Sequence, residues 1–130
     1  MSVTHSATMR NTLATAVLTA IDAGGAASQI VFRLAGTVAS PGTAVATLTA
    51  SDPAGTVTGA VLTYSAITSD TNATGNASPV ATATLQTSAG TVVVHCAVAA
   101  SGSDINMTGG LTVGAGDTVS CSSLTYTAPV

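Results

Sequence analysis

Two cysteines, two histidines, five aspartates and two arginines are the groups with which this 130-residue chain could do proton, nucleophilic or metal chemistry. His95 and Cys96 adjoin, as a base and a nucleophile would. They lie in a strand-like run, however, and neighbours on a strand point to opposite faces, so only a bulge could bring them together. Cys96, Cys121, His5 and His95 would make a Cys2His2 zinc set if all four converged, but the chain lacks the short C-x-x-C or H-x-x-x-H spacing that such sites use. The segment Asp70-Thr-Asn-Ala-Thr-Gly75 imitates the opening of a calcium loop, with oxygens at alternate positions and glycine sixth. The twelfth position, which needs a bidentate Glu, is Ala81, so the segment reads as a plain loop. No G-x-S-x-G occurs, there is no glutamate, and the aspartates are scattered near turns. These residues predict no catalytic group, no cofactor and no metal site. Asn72, Asn76 and Asn106 head glycosylation triplets that a Thr-, Ser- and Asn-rich chain produces by chance. The two cysteines read as free, buried thiols in preference to a disulfide. Arg10 and Arg33, the only fixed cations, are expected either to pair with an aspartate or to lie solvated on the surface.

The elements that must position these groups are drawn from an unusual palette. Alanine (25) and threonine (24) make up 49 residues, lysine, glutamate and tryptophan are absent, and charged side chains are 5%. An ordinary soluble domain carries roughly 25% charged residues. Such a surface costs little to desolvate and has little charge to hold copies of itself apart. Two arginines cannot neutralise a phosphate track, which argues against nucleic acid. The same scarcity excludes a basic membrane-surface helix, and no apolar run approaches the ~18–20 residues that span a bilayer. Leu, Ile, Val and Phe sum to 28 residues with a net charge of −3, so the chain folds, but around a thin core to which partner chains are expected to contribute. Arg10 followed by Leu13 to Ile21 and a small-residue stretch faintly resembles a signal peptide. Asn11, Thr12, Thr15 and Thr19 interrupt its apolar part and Asp22 sits near the would-be cleavage point, so a structural segment is the reading taken.

The chain divides into an N-terminal arm and helix, 1–27, and a β-domain, 28–130, forming one compact domain. Met9, Leu13, Val17, Ala20 and Ile21 recur at helical spacing, with Thr4 or Ser6 as cap and Gly24-Gly25 as stop. Gln29 to Leu34 alternates, with Ile30, Phe32 and Leu34 inward. Ala44 to Ala50 and a long Val57 to Thr68 follow as strands, then a loop from Ser69 to Pro79. Val80 to Gln86 and Thr91 to Ala99 make a hairpin with Val92, Val94, Cys96 and Val98 on one face. Ile105 to Met107 is a short strand, and Thr118 to Thr127 the last, with a β-bulge at Ser122-Ser123 to restore its phase. The fold expected is mainly β, a jelly-roll-like sandwich or barrel of about seven to eight strands with an N-terminal amphipathic helix packed on it or on a neighbour.

Several phrases together are similar to small virion proteins of tailed bacteriophages. They are Asp22-Ala23-Gly24 at the helix end, Ala50-Ser-Asp-Pro53, Ser69-Asp-Thr-Asn-Ala-Thr-Gly75, Ser88-Ala-Gly-Thr91, Ser101-Gly-Ser-Asp-Ile-Asn106 and Ala115-Gly-Asp-Thr-Val119. The chain departs from many members in lacking aromatic residues near the hairpin, where it reads Val80-Ala-Thr-Ala-Thr84. The resemblance implies a capsid cement or decoration protein, made in the bacterial host cytoplasm and carried on the capsid surface of the virion. It implies binding to the major capsid protein and to itself, as homodimer or homotrimer, without an active site. A tail, neck or head-fibre component is the nearest alternative, and a secreted carbohydrate-binding or adhesin β-domain a more distant one. The adhesin reading would want exposed aromatics, of which only Phe32, Tyr64 and Tyr126 exist.

Overall fold

A computed structural model describes residues 2–130; the Met1 part of the expected arm lies outside the described residues. Helix α1 runs Ala7–Ile21. Ser6 holds extended geometry (φ −63, ψ 157) and its hydroxyl accepts the Met9 N–H at 3.1 Å, which selects it over Thr4 as the N-cap. After a 3-10 turn, Asp22–Gly24, Gly25 ends the element at φ 73, a conformation costly for any residue with a Cβ. No helix among the described residues is long and apolar enough to cross a membrane.

Nine strands follow: β1 (Gln29–Arg33), β2 (Ala44–Ala50), β3 (Gly55–Thr58), β4 (Val61–Tyr64), β5 (Ile67–Thr68), β6 (Thr82–Gln86), β7 (Val92–Ala99), β8 (Ile105–Asn106) and β9 (Thr125–Thr127). They form a six-stranded sheet ordered β5-β2-β1-β6-β7-β8 and a three-stranded sheet ordered β3-β4-β9. The larger sheet curls into a half-barrel, so the protein is a mainly β barrel or sandwich with one N-terminal helix. All pairings are antiparallel except β7 with β8. One core lies between the sheets: Ile30, Phe32, Leu48, Ala83 and Leu85 from the large sheet meet Leu62 and Tyr64 from the small one.

The expected long strand from Val57 to Thr68 is instead β3, β4 and β5. Gly59 (φ 58) and Ala60 (φ 69) form a two-residue turn with both residues left-handed, the geometry that a tight hairpin favours. Alanine there costs about 1–2 kcal/mol. The structure offsets that cost by burying the Ala60 methyl with Ala14 and Ala128. Ala60 also donates its N–H to Asn11 Oδ1 at 3.4 Å and accepts the Ala128 N–H at 3.0 Å. This contact fixes the roll of α1. Ala14 and Leu18 face inward with Leu13, Val17 and Ile21, whereas Met9, expected on the apolar stripe, is 44% exposed. Ile21 is fully buried in the main core, so the helix packs on its own β-domain.

Two further expectations are corrected. The last strand is only β9. Residues 118–124 cross from an isolated bridge, Val119 with Asp70 just past β5, to the small sheet, so the phase break at Ser122-Ser123 marks a crossing and not a bulge. A bulge does occur between Leu85 and Gln86, and it pairs Gln86 with Val92. Val92 therefore shares the outer face with Gln86, and Val93 packs toward the core in its place, beside Val94 and Cys96.

Replacing Ala14 by Leu forces a larger side chain into the closed niche against Ala60 and Ala128. Overpacking of this kind costs about 1–3 kcal/mol. The expected result is a lower urea midpoint with unchanged slope, and an unchanged midpoint would show the niche can expand.

Candidate functional site

The outer face of the large sheet carries Arg33 and the hydroxyls and amides around it. Register places Thr84 opposite both Val31 on β1 and His95 on β7, and Gln86 opposite Gln29. Arg33 donates from Nε to Thr84 Oγ1 at 3.0 Å, from Nη2 to Gln86 Oε1 at 3.0 Å and from Nη1 to the Gly42 carbonyl at 3.0 Å. Thr84 donates to Gln86 Oε1 at 2.9 Å, and Gln86 Nε2 to Gln29 Oε1 at 3.1 Å. The guanidinium fork is thus spent on neutral acceptors of its own sheet, and Thr84 beneath it is fully buried. Arg33 is neither paired with an aspartate nor left in solvent. Arg10 departs from expectation in the same way, donating to the Ala128 and Pro129 carbonyls at 3.1 and 3.2 Å and so tying α1 to the end of β9.

The aspartates act as backbone acceptors. Both oxygens of Asp22 take the Ala54 N–H at 3.2 Å. Asp70 takes those of Thr47 (2.8 Å) and Asn72 (3.0 Å), capping the open edge of β2. Asp104 takes the Ala97 N–H at 2.9 Å and Asp117 that of Gly114 at 2.8 Å. A carboxylate engaged this way stitches loops to strands. Asp70 in particular serves β2, and the calcium-like segment is a loop along that strand's edge.

The sulfur and imidazole groups do not converge. Cys96 faces the core while His95 lies on the other side of β7. His5 Nδ1 sits 3.3 Å from the Val130 carbonyl at the chain ends. Cys121 lies in the crossing segment, donating to the Ser123 carbonyl at 3.2 Å. Both cysteines are free, and no group of three or more His, Cys, Asp or Glu gathers among the described residues. Burial pushes the Cys96 thiol up to about 11, with Asp104 adding to the effect, and pushes Cys121 up as well. Tyr64 is raised above its ordinary range, by burial first and then by Cys96, Asp22 and Cys121. Its hydroxyl is buried without a hydrogen-bond partner, as are Ser28 Oγ and His95 Nε2. Thiols held neutral are poor nucleophiles.

Two concavities remain. One is a shallow face of α1 lined by small residues, among them Thr12, Thr15, Ala16 and Thr19. The other is a cleft of about 480 Å³ between β8 with the loop after it and residues 117–123. No family model, no curated protein and no solved structure matches the chain. What the arrangement can do follows from its own chemistry. Both arginines and four aspartates bond within the chain to hold the fold, which leaves contact surfaces and one cleft.

Removing the Arg33 fork by Arg33→Ala leaves the buried Thr84 hydroxyl without a donor and Gln86 Oε1 with the Thr84 hydroxyl as its remaining one. A loss of roughly 1–3 kcal/mol in urea unfolding is expected, and Arg33→Lys is expected to recover only part of it, since an ammonium cannot reproduce the fork.

The Cys96 thiol sets a pH dependence with a defined sign. The unfolded chain loses this proton near the ordinary value of 9.0 and the folded chain at about 11. Its contribution is therefore fully present below pH 9 and is lost as pH rises toward 11. Urea midpoints are expected to be flat below that window and to fall through it, and Cys96→Val to fall less steeply. An equal slope in Cys96→Val would assign the loss to Tyr64 and Cys121 in its place.

Proposed function

We propose that this protein is a structural component of a bacteriophage virion, a decoration or cement protein that binds the outside of the capsid and stabilises it. The observation that carries the reading is where the charges go. Of seven charged side chains, both arginines and four aspartates bond to the chain's own backbone or amide and hydroxyl groups. Asp52, Asp104 and Asp117 are the exposed charges among the described residues, and the exterior is otherwise mostly Thr, Ser, Ala and Gly. Burying such a surface against another protein strips few ions of water, so contacts form without the desolvation cost that charged rims impose. Spread over many symmetric copies of a shell, contacts that are weak singly become strong together. The partners in this reading are the major capsid protein and further copies of the chain, as dimer or trimer, and the protein works by binding alone. The phrases shared with small tailed-phage virion proteins support the same assignment.

Cosedimentation with heads that lack the protein tests it. Saturable binding, reaching a fixed ratio to capsid subunits and raising the heads' resistance to heat or osmotic shock, is expected. Binding to tails or glycans in place of heads would overturn the assignment.

A further inference from the structure

A hydroxyl, a carboxamide and a guanidinium are held in contact on the outer face of the large sheet, shielded from solvent. Thr84 is fully buried and Gln86 is 4% exposed, two positions apart on β6. The Thr84 hydroxyl donates to Gln86 Oε1 at 2.9 Å. Adding a C=O bond of about 1.23 Å, the hydroxyl oxygen lies no more than about 4.1 Å from the amide carbon Cδ. Reacting atoms in a near-attack pair are about 3–3.5 Å apart, so a shift of about 1 Å or less brings oxygen to carbon. Arg33 bonds both partners, donating from Nη2 to Gln86 Oε1 and from Nε to Thr84 Oγ1. A cation on Oε1 withdraws electrons from Cδ and stabilises the negative charge that develops on that oxygen during attack. The nitrogen that would leave, Gln86 Nε2, is held by Gln29 Oε1 at 3.1 Å. On the next strand His95 stands directly opposite Thr84, a placement that sets Cβ atoms about 4.5–5.5 Å apart. Its Nε2 is buried and bonds to nothing among the described residues, so its lone pair is free when the proton sits on Nδ1.

We propose that Thr84 and Gln86 condense to an ester within the folded chain. The Thr84 oxygen attacks Gln86 Cδ while His95 Nε2 takes the hydroxyl proton, and the C=O electron pair moves onto Oε1 beside the Arg33 guanidinium. The carbonyl re-forms as the Cδ–Nε2 bond breaks. His95 passes its proton to the departing nitrogen, which leaves as ammonia. One C–O bond replaces one C–N bond, nothing is oxidised or reduced, and no co-reactant enters. Burial keeps water, the competing nucleophile, away from the carbon. The other hydroxyls of this stretch are otherwise engaged. Thr82 donates to the Leu34 carbonyl at 2.7 Å, and the Thr87 hydroxyl accepts the Thr91 N–H at 3.1 Å. Thr84 is the one aimed at a side-chain amide. The product braces β6 where its register shifts between Leu85 and Gln86, in a chain whose two cysteines are free. The step goes beyond the capsid reading and needs only the folded chain.

Intact-mass spectrometry of the full chain, kept folded at physiological temperature for several days, is the test. A species lighter than the sequence mass by one ammonia is expected to accumulate. Fragmentation is expected to place the loss within residues 84–86, and mild alkali to restore the threonine hydroxyl and convert Gln86 to glutamate. Thr84→Val and Gln86→Met are each expected to keep the sequence mass. His95→Gln, folded by circular dichroism, is expected to slow the loss at least about 100-fold, the low end for a general base. A wild-type chain that keeps its sequence mass overturns the proposal, whatever the outcome with heads. An ammonia loss mapped to an asparagine, or one that persists in Thr84→Val, overturns it as well. An unchanged rate in His95→Gln overturns the step as written, because the base is then not His95.

Discussion

Close approach of backbone to backbone is the constraint on which this fold depends. With only 15 Val, 8 Leu, 4 Ile, 1 Phe and 2 Tyr to fill a core, elements set at ordinary spacing would leave voids. The chain brings them together on alanine and glycine. Ala14 of the helix meets Ala60 and Ala128 with almost no exposed surface, and Asn11 reaches the turn backbone directly. A Cβ on Gly55 would collide with the Thr63 carbonyl across the β3–β4 ladder, and one on Gly75 with the backbone of Gly114 and Ala115. The left-handed Ala60 follows from the same constraint, because glycine would ease the turn but leave out the methyl that fills the niche.

Since small side chains give little burial each, the polar groups must contribute to cohesion as well. Arg33 fastens β1 to β6 and to the loop at Gly42, and Arg10 fastens the helix to the last strand. Asp22, Asp70, Asp104 and Asp117 each fasten a loop or turn to the backbone. A charge bonded to several dipoles is more strongly held than one bonded to a single exposed partner, where screening and side-chain entropy remove most of the gain. Charges are thus few, and six of the seven serve as ties within the chain.

Where local chemistry decides the structure, the residues announced it. Ser6 and Gly24-Gly25 bound the helix because a hydroxyl cap and a left-handed stop need no tertiary help. Ala44 to Ala50 and the Thr82–Ala99 hairpin could be read from alternation and turn residues. The Gly59-Ala60 turn could not be, because alanine at positive φ is chosen by its burial under Ala14, a contact 46 positions away. Val92 moved to the outer face because a bulge in its partner strand shifts register, and no signal for that lies in residues 91–99 themselves. The partners of both arginines were hidden for a related reason. Reading charges suggests aspartates, whereas the available acceptors are carbonyls, a hydroxyl and an amide supplied by the sheet. At the cleft, the loss of phase at Ser122-Ser123 was visible in the sequence; that it marks a passage to the small sheet required the pairing of Val119 with Asp70 and of Tyr126 with Leu62.

That passage also explains why the barrel stays open. A strand running on from Val119 could have paired along β8 and sealed the large sheet. The chain instead turns to form β9, because Leu124 and Tyr126 pack with the small sheet and the Tyr64 N–H needs the Leu124 carbonyl, 3.0 Å away. Satisfying the small sheet therefore strands one edge of the large one. An exposed edge is normally blunted by charge or proline. The end of β9 has Pro129, and β2 has the Asp70 loop, but Asn106 and residues 120–123 have neither lysine nor proline beside them. The passage to β9 and the bare edge at Asn106 are thus two results of one choice, the pairing of β4 with β9 over an extension alongside β8.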